Sequence, residues 1–245
     1  MPELIKTVGI VLRKIDFGDT SKIATLITPE HGKLSVIIKG GRTGKSKIGA
    51  LVDTLNEVEI IFYNKKSRDV QLVSQADLIN NFTKIKDDFD KLKYASAVLE
   101  LVNVLTVENH EHGRLYRGLN KILSLLNDTN EDAKVLFIKF FLFLLKELGY
   151  EFQFDNCTFC GKEFTERSSA RFNYELGMMC ESCSEGRIYS FEFSPELFNS
   201  LICLSRKNNQ TERKFDNIDK LIYFLERYLM YHIDEFKGLK SLHIL

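Results

Sequence analysis

Thr7-Val8-Gly9-Ile10-Val11-Leu12-Arg13-Lys14-Ile15 is β-branched and partly alternating, and it reads as a strand. Four more runs of this kind follow within the first eighty residues. Lys22 to Thr28 is the second, after which Pro29-Glu30-His31-Gly32 turns the chain, with Gly32 able to take positive φ. Leu34-Ser35-Val36-Ile37-Ile38 is the third, Val58-Glu59-Ile60-Ile61-Phe62-Tyr63 the fourth and Asp69-Val70-Gln71-Leu72-Val73 the fifth. No helix of useful length separates them, so the pattern predicts a small closed β-barrel over residues 1–80.

Beyond Phe82 the period lengthens. Leu92, Ala95, Val98, Leu99, Val102 and Leu105 recur at three and four, which marks one apolar helix face. Two further helices are expected over Leu115–Leu126 and Ala133–Leu148, the latter capped by Thr129 or Asn130 and stopped by Gly149. Ser194-Pro195-Glu196 opens another, and Ile218–Ile233 forms the last. The expected fold is α+β and multidomain: a five-stranded barrel, then an all-helical domain over 81–245 carrying an insert at about 155–187.

That insert holds Cys157-Thr158-Phe159-Cys160 and Cys180-Glu181-Ser182-Cys183, two C-x-x-C knuckles nineteen residues apart. Thiolates at i and i+3 of a tight turn share one edge of a cation, and two such turns close a tetrahedron. Four sulfur ligands leave no position for water, so the spacing predicts one structural zinc ion per chain rather than a catalytic one. Two disulfides are the competing reading. Against them, Met1-Pro2-Glu3-Leu4-Ile5-Lys6 shows no secretory leader, which points to a cytoplasmic protein with reduced thiols. Cys203, alone in Leu201-Ile202-Cys203-Leu204, reads as a small core residue. The densest apolar run, Val135–Leu145, is interrupted by Lys139 and argues against a membrane span.

Formal net charge over the 245 residues is zero, but its distribution is uneven. Residues 1–80 carry 12 Lys+Arg against 9 Asp+Glu, and residues 81–245 carry 22 against 25. His31 to Val52 contains no acid and holds Lys33, Lys39, Arg42, Lys45 and Lys47. Gly40-Gly41-Arg42-Thr43-Gly44-Lys45-Ser46 falls short of a phosphate-binding loop, because Lys39 stands where the first glycine is required and a strand is expected downstream. Asn109-His110-Glu111-His112 has the wrong spacing for H-E-x-x-H and reads as an inter-helix loop ending at Gly113. Neither the deaminase signature nor a G-x-S-x-G or kinase set is present. The sequence offers no catalytic constellation.

Gly18-Asp19-Thr20-Ser21-Lys22-Ile23-Ala24-Thr25-Leu26-Ile27-Thr28-Pro29-Glu30-His31-Gly32-Lys33-Leu34, followed by Ile38-Lys39-Gly40-Gly41-Arg42 and Lys45-Ser46, resembles the N-terminal domain of the bacterial RecO family of recombination mediators. The resemblance runs on through Gln75-Ala76-Asp77-Leu78-Ile79 and the cysteine module to Leu239-Lys240-Ser241-Leu242 and Leu245. It implies an oligonucleotide/oligosaccharide-binding (OB) barrel, single-stranded DNA binding, annealing of complementary strands, and loading of the RecA recombinase. The implied partners are RecR and single-strand-binding protein, with no membrane, and the implied location is the cytoplasm at the bacterial nucleoid.

On the matching positions, Lys39, Arg42, Lys45 and Lys47 would follow a phosphate backbone, with Arg13, Lys14 and Lys33 extending the surface. Phe17, Phe62 and Tyr63 are either base-stacking platforms or core. The residues leave another class of reading open: a zinc-containing, non-catalytic protein-interaction scaffold whose basic loop is incidental. A zinc enzyme is a third, opposed by the all-cysteine ligand set.

Overall fold

The computed structural model describes residues 3–108, 111–165, 167–206, 215 and 217–243. Asn109 and His110 of the inter-helix loop, and Leu245 of the closing motif, lie outside them. The chain forms two compact units, Met1–Ala133 together with Leu239–Leu245, and Lys134–Gly238.

The first unit begins with strands β1 (Glu3–Phe17), β2 (Ser21–Thr28) and β3 (Gly32–Ile38). Helix α1 (Lys47–Leu51) leads to strands β4 (Glu57–Asn64) and β5 (Val70–Asn80). They close in the order β1-β2-β3-β5-β4, with β1 pairing β4 and β3 running parallel to β5. This is the expected OB-type barrel. Alternation places Leu34, Val36 and Ile38 of β3 inside, with Ala24, Leu26, Val58, Ile60 and Phe62. Phe62, one of the three aromatics in question, is therefore core at 1% exposure.

The one helix among the described residues between these strands, α1, is only five residues long. Ile48 of α1 packs on the barrel core, and Val52, which ends the helix, joins that core. Three helices follow the strands: α2 (Thr83–Lys86), α3 (Phe89–Leu105) and α4 (Gly113–Asp128). Asp88 caps α3 by accepting from Lys91 N at 3.0 Å. Thr129 ends α4, its N–H and hydroxyl both donating to the Leu125 carbonyl, rather than opening the next helix. A 3₁₀ turn (Lys240–Leu242) returns to α3, where Glu100 accepts from the N–H groups of Lys240 and Ser241 at 3.0 and 2.9 Å.

The second unit opens with α5 (Ala133–Glu147), the apolar run singled out above. No described helix is long and apolar enough to cross a membrane. Gly149, at φ +81°, ends α5 with Tyr150 N donating to the Leu145 carbonyl, a stop only a residue without a Cβ adopts cheaply. Strands β6 (Ala170–Asn173), β7 (Gly177–Met179) and β8 (Phe191–Phe193) form a small sheet in the order β7-β6-β8, with α6 (Glu181–Ser184) between β7 and β8. Helices α7 (Pro195–Ser205) and α8 (Ile218–His232) complete the unit. Its core is aromatic: Phe172 meets Phe224 edge-on at 5.1 Å and Phe193 meets Phe224 at 4.9 Å.

Candidate nucleic-acid interface and metal centre

The basic loop between β3 and α1 is stitched to its surroundings. Gly41 N donates to the Ile38 carbonyl, Thr43 N to Gly40 and Ser46 N to Thr43, at 2.9–3.2 Å. Ser46 then caps α1 by accepting from Gly49 N at 3.1 Å. A Cβ on Gly49 would lie 2.1 Å from the Gly41 carbonyl oxygen, so α1 can approach the loop only through a glycine. The chain thus enters a short helix before it reaches the expected strand at Val58, and the capping serine was the available signal.

Within this frame Lys39, Lys45 and Lys47 are exposed and make no ion pair among the described residues. Arg42 is exposed but anchored. Its N–H bonds the Thr20 carbonyl, Nη1 bonds the Gly18 carbonyl at 2.8 Å and Nε lies 3.3 Å from Asp16 Oδ2. Arg42 thereby ties the loop to the β1–β2 hairpin. Arg13 is exposed on that hairpin, and Lys14 is paired with Asp53 at 2.5 Å.

Lys33 is engaged elsewhere. Its Nζ donates to the carbonyls of Asn103 and Thr106 at 2.9 and 2.5 Å, closing the C-terminal end of α3. A cation is favoured there by the helix dipole. Burial lowers the Lys33 pKa, against the opposing pull of Glu108.

The outside of the barrel shows a feature that sequence reading passed over. Direct cross-strand partners share a face, and one row of partners runs Ile15–Ile23–Ile37–Leu72–Tyr63–Leu4 around all five strands. Every member is apolar or aromatic and at least partly exposed, Ile15 at 41% and Leu4 at 58%. Tyr63 is thus a half-buried member of an outer row, and Phe17, 52% exposed, stands two residues beyond Ile15. The signal was hidden because both faces of these strands are apolar, which erases the alternation.

In the second unit the cysteine knuckles converge. Cys157 N donates to the Lys162 carbonyl and Gly161 N to the Cys157 carbonyl, with Gly161 at φ +71° turning the first knuckle. Cys180 stands at the N-cap of α6 and Cys183 within it. All four Sγ atoms lie within 4.8 Å of one another, and Cys160 and Cys180 are 3.8 Å apart. Zinc–sulfur bonds of about 2.3 Å set tetrahedral edges of about 3.8 Å, so the donor set fits that ion. Burial raises the Cys157 thiol, but amide donors from Cys160, Cys180 and Phe159 outweigh it and bring it down to about 6. The neighbouring sulfurs of Cys180 and Cys160 push Cys183 up to about 12. One anionic sulfur thus discourages the next until a cation shares them. Cys203, half-buried on α7, stands outside the cluster.

Two arginines of the module are committed locally. Arg171 pairs with Glu192 at 3.0 Å and covers the Tyr189 ring. Arg187 donates to the Cys183 carbonyl and covers Phe159.

Two family models account for nearly the whole chain. One, described as Recombination protein O N terminal, matches residues 1–82, and Recombination protein O C terminal matches residues 86–243. The chain belongs to the RecO family. Among curated relatives, the DNA repair protein RecO of Chlorobium limicola is 31% identical over 72% of this chain and 67% of its own length. The RecO of Chloroherpeton thalassium is 27% identical over 98% of this chain and 96% of its own. That of Alkaliphilus metalliredigens is 28% identical over 94% of each. The resemblance carried by the barrel and knuckle motifs is thereby confirmed at the level of family, and RecO membership gives the chain a role in DNA repair and recombination.

Proposed function

We propose that this protein is a non-catalytic, cytoplasmic mediator of recombinational repair that binds single-stranded DNA and anneals complementary strands. With RecR, and on DNA covered by single-strand-binding protein, it would help load the RecA recombinase. The barrel over residues 1–80 is read as the DNA-binding domain. The observation that carries this is the glycine-anchored loop of an OB-type barrel, where Lys39, Lys45 and Lys47 make no ion pair among the described residues and stand beside the anchored Arg42. Cations spaced along a fixed backbone bind phosphates without reading bases. Arg13 extends the surface, and Lys33 supports it from behind by holding α3 against β3.

The four cysteines are read as ligands of one structural zinc ion, which would fix the two knuckles to each other and brace the β6–β8 sheet. Salt-dependent binding of an unstructured oligonucleotide tests the reading. A steep fall of affinity with salt is expected, and a chain that binds proteins but no DNA at low salt would instead be a scaffold.

A further inference from the structure

Helix α8 carries a surface of a different make from the barrel loop. Lys220, Tyr223, Arg227 and Tyr231 stand three and four residues apart, so they share one helix face. All four are exposed, Tyr223 at 57% and Tyr231 at 47%, while Leu221, Phe224, Leu225, Tyr228 and Leu229 turn to the core. The face continues off the helix onto Tyr174, whose ring lies nearly parallel to that of Tyr231, 19° apart in plane and 5.0 Å between centroids. Tyr231 is held in place, its hydroxyl donating to Glu175 Oε1 at 3.0 Å. The Arg227 guanidinium sits beside the Tyr174 hydroxyl, opposing the rise in pKa that burial imposes there.

Glu175, at the end of the stripe, is taken up by the Tyr231 hydroxyl, and the acids of the helix itself leave the cations of the face unpaired among the described residues. The two that α8 contains are Asp219, paired with Lys134 at 2.8 Å, and Glu226, which is buried. Cation and ring therefore alternate along the exposed face, with about 6 Å of helix rise between Tyr223 and Arg227 and again between Arg227 and Tyr231. Core packing does not require two tyrosine rings in water. Unpaired bases do, because every base has a π-face to lay on a ring while its phosphate seeks a cation.

We propose that this face of α8 is a second single-stranded nucleic-acid surface, on which bases stack against Tyr223 and the Tyr174–Tyr231 pair while phosphates meet Lys220 and Arg227. It rests on the reading of the protein as a single-strand binder and adds a site to it. The basic loop belongs to one compact unit and this stripe to the other. One molecule then carries a surface for each of two strands, which is what annealing requires.

The test uses the full chain and a fluorescent oligothymidylate, with affinity followed over a salt series. The double variant Tyr223→Ala, Tyr231→Ala should bind about ten-fold more weakly, a typical loss for removal of stacking, with the slope of log K against log salt unchanged. The corresponding pair of Tyr→Phe changes should restore binding. Lys220→Gln and Arg227→Gln should each lower the slope by about 0.7.

Wild-type affinity in the alanine pair overturns the proposal. Photo-crosslinking of iodouridine-substituted oligonucleotide to the unmutated protein is independent of folding defects. It should label Tyr223 or Tyr231, and labels confined to residues 1–80 would overturn it too. If the loop variant Arg42→Ala, Lys45→Ala, Lys47→Ala binds normally while the tyrosine pair does not, the barrel reading fails and this one stands. A tyrosine pair that binds DNA normally but loses a protein partner makes the stripe a protein interface and refutes the proposal.

Discussion

Glu57 of the barrel accepts the hydroxyl of Tyr116 on α4 at 2.7 Å, with both side chains buried. The same oxygen accepts Asn120 Nδ2 at 2.5 Å, so one carboxylate fastens the helix to the mouth of the barrel. Tyr116→Phe should lower the stability of this unit by about 1.5–3 kcal/mol, the usual loss for a hydrogen bond to a charged group, read from urea denaturation. Burial, then the neighbouring Glu57, raises the Tyr116 pKa above the ordinary phenol value. A raised folded-state pKa stabilises at pH below the unfolded value and loses that stability as pH climbs. The unfolding temperature of the wild type should therefore fall above about pH 10, and less steeply in Tyr116→Phe.

Lys33 supplies the closure of α3, with donors on the Asn103 and Thr106 carbonyls. Lys33→Met should destabilise the first unit by about 1–2 kcal/mol while changing the salt slope of DNA binding little. A drop of about 0.7 in that slope would move Lys33 onto the DNA surface.

The loop variant Arg42→Ala, Lys45→Ala, Lys47→Ala is expected to weaken single-strand binding about equally for every sequence. Each lost phosphate contact should flatten the salt dependence by roughly 0.7. Strand annealing should decline with it. An unchanged slope would place the track elsewhere on the protein.

Protein purified without chelator should contain about one equivalent of zinc, as four converging sulfurs bind one ion. Cys160→Ser should lose most of it and loosen the β6–β8 sheet, because such modules fold with their metal. Circular dichroism of the barrel strands should survive. Intact disulfides with no metal would reject the assignment.

The barrel was legible because five short β-branched runs follow one another with turns between them, and the helices because their apolar positions recur at three and four. The cysteine knuckles were legible from spacing alone, since metal geometry is local. Other features depend on what lies across space. Nothing in the sequence around Lys33 says that its ammonium meets a helix end seventy residues on. Arg42 reads as a DNA cation, whereas its anchoring to Gly18 and Asp16 needs the hairpin beside it. The spacing of Tyr223, Arg227 and Tyr231 was visible, but a period of four marks a face without saying whether it points inward. Thr129 was assigned to the wrong helix because a threonine between two helices can end one or begin the other.

The Glu100 clasp on Lys240 and Ser241 makes the first unit discontinuous in the chain, with the whole of Lys134–Gly238 inserted before its last piece. Synthesis at roughly 5–20 residues per second would leave α3 waiting on the order of ten seconds for the turn that covers it. During that interval the nascent barrel is held by its strands and by the helices already made, with Lys33 tying α3 to β3. The order of manufacture thus sets a schedule: the aromatic unit can fold on emergence, whereas the barrel's unit gains its final piece only after the intervening stretch has been made.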